Sequence, residues 1–574
     1  MQGAPRPIGR GVSHPYEVIL WMDPMFPRRF RRAIVIWLLA LVAFAFGVVI
    51  IFSNVSAADD DGKIGFILSN LPPTSSTQYK ALRKAAGKAD GQSLDMTKSE
   101  MWNVPEERAE SLIAAAARQG VTVTRLDETW NHALAPMKSG SPMSPAQQEM
   151  MRQTMDSKAA MGMSMMALPN AGVLEYALTK DMHEAGAPAP ALVIPLNDTL
   201  SVTARRTGIA KSAENYIWHG RIDGTDDPVT LLWWPSGRLT GSVTYRGHVY
   251  AVKSIGGDVH GVIEMSPDRL PPEHAPMGRE MQEKMNMKKD PLVEKGDASM
   301  LRPAGSEKAP APESDKPDRS KTKNLEDAPL KERAARREKH ALAIEQPKRK
   351  PRKAGDVVIT VIVAYTKAAA THYSSIETDL IALAIEDANQ SFRNSGVGNV
   401  RLELAHAYQT DYVETGSHFD HVFRFADKGD GTMEEVHALR DQYKADIGVL
   451  IVHDPQGCGL AAQVVAPAQR AFAVVHHECA AISYSLAHEI GHLIGARHDL
   501  ALDDGMEPFP YGHGFVLGTK WRTMMSYKES CDGCPRVPMW SNPDLKVRGE
   551  RAGDAKSNNA RVIAEQAARV AGFR

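Results

Sequence analysis

At 574 residues the chain is too long for one ordinary domain, so two or three are expected. A formal net charge of -1 leaves no bulk electrostatic footprint for nucleic acid, and none is expected as a partner. The hydrophobic content of 43% is ordinary for a globular protein, but it is unevenly distributed.

Residues 33–52 (AIVIWLLALVAFAFGVVIIF) carry no charge and are long enough to span a bilayer. Arg28, Arg29, Arg31 and Arg32 precede them and Asp59, Asp60 and Asp61 follow, which places residues 1–32 in the cytoplasm and the rest outside it. Val55-Ser56-Ala57 suits a signal cleavage site, whereas the length of the apolar run suits a retained anchor, and both readings stay open. The expectation is an exported chain: periplasmic, secreted, or held to the membrane through residues 33–52 if these are not cleaved.

Residues 58–275 read as an α+β region. Pro105 to Gln119 has the start, Ala-rich body and following Gly120 of a helix, and Val121 to Leu126 alternates like a strand. The methionine-rich stretch from Met137 to Met166 reads as a flexible or partly helical insertion. Strands over 228–234, 239–245, 248–252 and 259–265, separated by turns at Pro235-Ser236-Gly237, Arg246-Gly247 and Gly256-Gly257, form a β-meander. Residues 276–355 are rich in Pro, Lys, Glu, Asp and Ser and read as a disordered linker, ending in a basic run at Lys348 to Lys353 that suits proteolytic cleavage.

From Asp356 the sequence turns to a compact α/β pattern. Strands are expected over 357–366, 400–407, 445–453 and 470–475, and helices over 376–394 and 433–443. His476 and His477 are read as loop residues. The four cysteines, Cys458, Cys479, Cys531 and Cys534, allow three pairings in an exported chain. Proximity favours Cys458 with Cys479 and Cys531 with Cys534.

The densest chemistry lies in Ser483 to Asp499. Residues four apart share a helix face, so His488 and His492 present two imidazoles side by side, a spacing suited to one Zn²⁺. Gly495 ends the helix without steric cost, and the reversed chain returns His498 as a third ligand. Three protein ligands with one open position mark a catalytic ion rather than a structural one. Glu489 is then placed to hold a zinc-bound water, take its proton during attack on a carbonyl, and return it to the leaving amine.

The whole pattern, H-E-x-x-H-x-x-G-x-x-H-D followed by Trp521-Arg522-Thr523-Met524-Met525-Ser526-Tyr527, resembles the metzincin clan of zinc endopeptidases. Asp499 directly after the third histidine resembles the adamalysin (reprolysin) branch. The resemblance implies an α/β metzincin catalytic domain over 356–574, with a mixed twisted sheet, an active-site helix and a Met-turn. It implies Met525 beneath the zinc site, Asp499 as a buried supporting carboxylate, and the strand at 470–475 as the sheet edge that receives an extended peptide. Tyr527 matches a tyrosine which in astacin-like and serralysin-like relatives reaches the metal or the oxyanion, and which adamalysins usually lack; it is a second candidate catalytic residue.

Trp218-His219-Gly220-Arg221, the β-meander and Leu270-Pro271-Pro272-Glu273-His274 are similar to the prodomains of bacterial reprolysin-like enzymes. By that resemblance 58–275 is a prodomain, without a cysteine to cap a zinc ion, and the long charged linker after it would let it act as a tethered inhibitor of its own enzyme. The expected function is hydrolysis of a protein or peptide substrate by an exported zinc endopeptidase made as a latent proenzyme. The alternative is a catalytically silent zinc-binding or adhesive surface protein.

Overall fold

The computed structural model describes residues 63–126, 134–137, 140–168, 170–179, 191–211, 215–225, 227–273 and 355–574. The apolar run at 33–52, the residues before it and the expected linker up to residue 354 lie outside the described residues. Among the described residues no helix is long and apolar enough to cross a membrane.

The N-terminal half begins with β1 (Lys63–Ser69), α1 (Thr77–Ala86), β2 (Asp90–Leu94), β3 (Ser99–Pro105), α2 (Ala109–Ala117) and β4 (Thr122–Leu126), whose strands form a sheet of order β2-β3-β1-β4. The helix expected from Pro105 starts later, because Pro105 closes β3 and a 3-10 turn over Glu106–Arg108 intervenes.

Next come β5 (Ala135–Pro136), α3 (Pro145–Met155), β6 (Ala160–Ala167), α4 (Ala171–Thr179) and the strands β7 (Ala191–Pro195), β8 (Ser201–Lys211), β9 (Tyr216–Ile222), β10 (Pro228–Trp233), β11 (Leu239–Tyr245), β12 (His248–Gly256) and β13 (Val259–Met265). They make a nine-stranded sheet, β5-β6-β13-β12-β11-β10-β9-β8-β7. The methionine-rich stretch is partly helical, as expected, but it also carries a strand. Its first part is α3, closed at its start by a capping box between Ser144 and Gln147, and its second part is β6, paired antiparallel along β13. Met, Gly and Ser carry little strand propensity, so the strand left no signal in residue type.

The C-terminal half is built on β14 (Val357–Tyr365), α5 (Ala382–Asn394), β15 (Val400–Gln409), α6 (His418–Ala426), α7 (Glu435–Tyr443), β16 (Ile447–Val452), β17 (Gly459–Ala461) and β18 (Phe472–His476). Strand order is β15-β14-β16-β18-β17, parallel throughout except for β17, which runs antiparallel to β18. β14 and β16 are apolar without alternation because both faces are covered. Ile359, Val361 and Val363 face the cluster shared with α5, whereas Ile362 and Ala364 join Val422, Phe425 and Val436 of α6 and α7.

Two expectations are corrected here. The strand near 470–475 is not the sheet edge: β18 lies between β16 and β17, and β17 is the edge. Three residues, one of them glycine, are too short to show a period, so β17 was invisible in the sequence. His476 is the last residue of β18 rather than a loop residue, and both it and His477 are buried. The helix expected over 376–394 is real but begins with a π turn at Glu377–Ile381 before α5. Cys458–Cys479 and Cys531–Cys534 are the disulfides present.

The two halves belong to one unit spanning Ile64–Arg574. Arg238 of the N-terminal half pairs with Asp379 at 2.9 Å, His219 Nε2 lies 2.9 Å from Glu386 Oε1, and Ser242 Oγ donates to Asp387 at 3.3 Å.

Candidate active site

The site is carried by α8 (Ser485–Ile494), whose residues are all buried. Its apolar positions Leu486, Ile490, Leu493 and Ile494 join the core shared with β14, β16 and α9 (Asn559–Val570), which holds the helix in place along its whole length. The helix stops at Gly495, whose φ of 137° is open to glycine and strained for a side chain. The chain then reverses into β19 (Arg497–Asp499), which pairs with β20 (His513–Gly514).

This reversal brings the third imidazole to the first two. His498 Nε2 lies 2.8 Å from His492 Nε2 and 3.3 Å from His488 Nε2. His488 Nδ1 donates to the Met524 carbonyl at 3.0 Å, and His492 Nδ1 to the Ala496 carbonyl at 2.9 Å. A carbonyl only accepts, so each Nδ1 carries the proton and each Nε2 presents a lone pair to the common point. Three imidazole nitrogens within 4.8 Å of one another fit the donor set of a zinc ion.

Glu489, the residue after His488, is buried between α8 and the edge strand β17. A Cβ at Gly459 of the edge strand would stand 2.5 Å from Glu489 Oε1, so the glycine leaves the carboxylate its room. Among the described residues Oε2 has no hydrogen-bond partner. Burial pushes the Glu489 carboxyl well above the usual carboxylate range, against the opposing hydrogen bond from the Ala461 backbone and the charge of Arg536.

Beneath the helix, Thr523 to Ser526 make a tight turn in which Ser526 N–H donates to the Thr523 carbonyl at 3.0 Å. Met524 supplies the carbonyl that orients His488, while Met525 Sδ would lie 3.1 Å from a Cβ at Gly491, directly under α8. The Tyr527 ring lies against His498 with centroids 4.4 Å apart. Asp499 accepts from Tyr527 N–H at 3.1 Å and from Ser530 Oγ at 2.8 Å. All the site residues expected from sequence are therefore gathered within this one region.

Other arrangements had no sequence signal strong enough to place them. Edge strand β17 is one. The pair Arg522 and Arg536 is another: both donate to the Ser526 carbonyl, and both form ion pairs with Glu273 of the N-terminal half. His372, His453 and His477 form a second group of imidazoles, with His453 Nδ1 2.8 Å from His477 Nε2. Only the adjacency of His476 and His477 hinted at it.

Three imidazoles aimed at one point, with a buried carboxylate on the same helix and the sheet-edge strand β17 next to it, define the class of metal-dependent hydrolases that act on extended chains. The reprolysin-type model of metallo-peptidase family M12 matches residues 356–541. A peptidyl-Asp metalloendopeptidase of Xanthomonas campestris pv. campestris is 32% identical over 409 residues, covering 68% of this chain and 84% of that protein. A peptidyl-Asp metalloendopeptidase of Stenotrophomonas maltophilia is 42% identical over 221 residues, 38% of this chain and 52% of that protein. Metalloproteinase-II from Bacteroides fragilis overlays with a TM-score of 0.30 at 12% identity, over 62% of this chain and 89% of that one, a likeness too slight to bear on the fold. The chain belongs to the reprolysin-like zinc metalloendopeptidases of family M12.

Proposed function

We propose that this protein is an exported endopeptidase, made latent, in which His488, His492 and His498 hold one zinc ion and Glu489 is the general base. The observation that carries the reading is the convergence of three Nε2 atoms, two of them with their tautomers set by backbone carbonyls. Zinc held there would polarise the substrate carbonyl and bring the pKa of a water to about 7. Glu489 takes the proton of the attacking water, with Oε2 as the oxygen left for it, and delivers that proton to the departing amine. β17, the edge of the sheet, is where an extended peptide would lie as a further strand.

Relatives named peptidyl-Asp metalloendopeptidases support a preference for peptide bonds at aspartate. The charge asymmetry around residues 33–52 supports export. Latency is supported by the contacts of the N-terminal half, read as a prodomain, with the peptidase half. The test is hydrolysis of a fluorogenic peptide before and after the full chain is cut within residues 276–355, with and without a chelator. Chelator-sensitive activity that rises on cutting supports the reading, and activity indifferent to both contradicts it.

A further inference from the structure

Arg522 and Arg536 are an unusual pair to bury. Their side chains are 5% and 6% exposed, and their guanidinium groups meet at one acceptor, the Ser526 carbonyl. Arg522 Nε also donates to the Cys534 carbonyl at 3.1 Å, and Arg536 Nη1 to the Ser483 carbonyl just before α8. Both cations are thereby fixed in position by backbone, which is how a recognition site is held ready. Burial and the neighbouring Arg536 charge lower the Arg522 guanidinium to about 10, so the pair stands in need of an anion.

Among the described residues, the one carboxylate that forms ion pairs with them is Glu273. Its Oε1 is 2.6 Å from Arg522 Nη2, and its Oε2 is 3.3 Å from Arg522 Nη1 and 3.1 Å from Arg536 Nη2. Glu273 comes from the far side of the 276–355 segment, whereas the peptidase-half carboxylates Glu529, Asp499 and Glu489 act on the pair through space without an ion pair to it.

The place of this contact is the second observation. Ser526 stands between Met525, which lies under α8, and Tyr527, whose ring rests on His498. The residues before Glu273 lie along the site as well. Pro272 accepts a hydrogen bond from Cys458 N–H at 2.7 Å, one residue before the edge strand whose Gly459 adjoins Glu489. Leu270 packs against the Cys458–Cys479 disulfide. A segment of the N-terminal half thus runs past the catalytic carboxylate with an acidic side chain set in a basic socket.

We propose that Arg522 and Arg536 form the subsite that reads an acidic side chain of the substrate, and that Glu273 fills this subsite as a built-in ligand in the uncut chain. The proposal rests on the peptidase reading. A substrate carboxylate would replace Glu273 once the N-terminal half leaves. A neutral isostere would leave two buried cations unpaired, and such a site discriminates strongly against the analogue that lacks the partner.

The test uses the full chain as wild type and as Glu273→Gln, with two fluorogenic peptides that differ by one Asp-to-Asn change. Glu273→Gln is expected to raise the initial rate on the Asp peptide by about 10-fold, because occupancy by a tethered ligand falls when its anchoring charge is removed. The same variant is expected to cleave the Asp peptide about 10²-fold faster than the Asn peptide in kcat/KM. Arg536→Lys, which keeps charge and loses the planar fork, should reduce that ratio. Equal cleavage of both peptides by Glu273→Gln overturns the subsite and leaves the peptidase reading standing. No cleavage of either peptide by any form with zinc bound, even after the chain is cut within residues 276–355, overturns the peptidase reading and the subsite with it. A Glu273→Gln rate equal to wild type, with the Asp preference kept, overturns the built-in ligand alone.

Discussion

Asp499 Oδ2 accepts the backbone N–H of Tyr527 at 3.1 Å, so the carboxylate that follows the third histidine holds the turn that orients the first. Its Oδ1 also accepts from Ser530 Oγ and from Ala501 N–H, which leaves the group largely committed to positioning backbone. Asp499→Ala is expected to weaken zinc binding by about 10- to 100-fold, the usual scale for a group that orients ligands from behind. Competition with a zinc-sensitive dye measures it, and unchanged affinity would reduce Asp499 to a local loop contact.

Tyr527 lies against His498 with its hydroxyl buried, close enough to the histidines to serve the reaction. Tyr527→Phe is expected to lower kcat by about 10²-fold with KM nearly unchanged, as for loss of a donor that acts on developing charge. A rise in KM at constant kcat would instead make it a binding residue.

Asp387 supplies a pH dependence. Burial, with the Glu386 charge beside it, raises its carboxyl to about 7 against the hydrogen bonds of Thr230 and Ser242. With the folded value above the ordinary aspartate value of 3.8, its favourable contribution is full below about pH 4 and is lost as pH rises to about 7. Burial alone would raise Glu386 too, but His219 and Arg393 outweigh it and hold that group low, so its effect falls at more acid pH. Asp387→Asn should therefore gain on wild type by about 2 to 3 kcal/mol between pH 5 and pH 7.5. Urea melts across that range test it, and a constant difference would contradict it.

Much of the site was legible because its chemistry is local. His488, Glu489, His492, Gly495, His498 and Asp499 fall within a dozen residues, where helix spacing and one turn decide geometry. The long apolar strands β14 and β16 were legible for a related reason, since burial on both faces leaves an unbroken run. β17 and β6 were not, the first for its shortness and the second because its methionines carry little strand propensity. The Arg522–Glu273 pair spans 249 positions, and no local period records a partner that far away.

The central claim is that the histidine cluster and Glu489 make a zinc endopeptidase, and one paired measurement addresses it. The chain cut within residues 276–355 is compared with its Glu489→Gln form for bound zinc and for turnover of the same peptide. One zinc per chain in both forms, with turnover lower by at least about 10²-fold in the variant, is the predicted result. Near-equal turnover, or hydrolysis that persists after the metal has been removed, would contradict it.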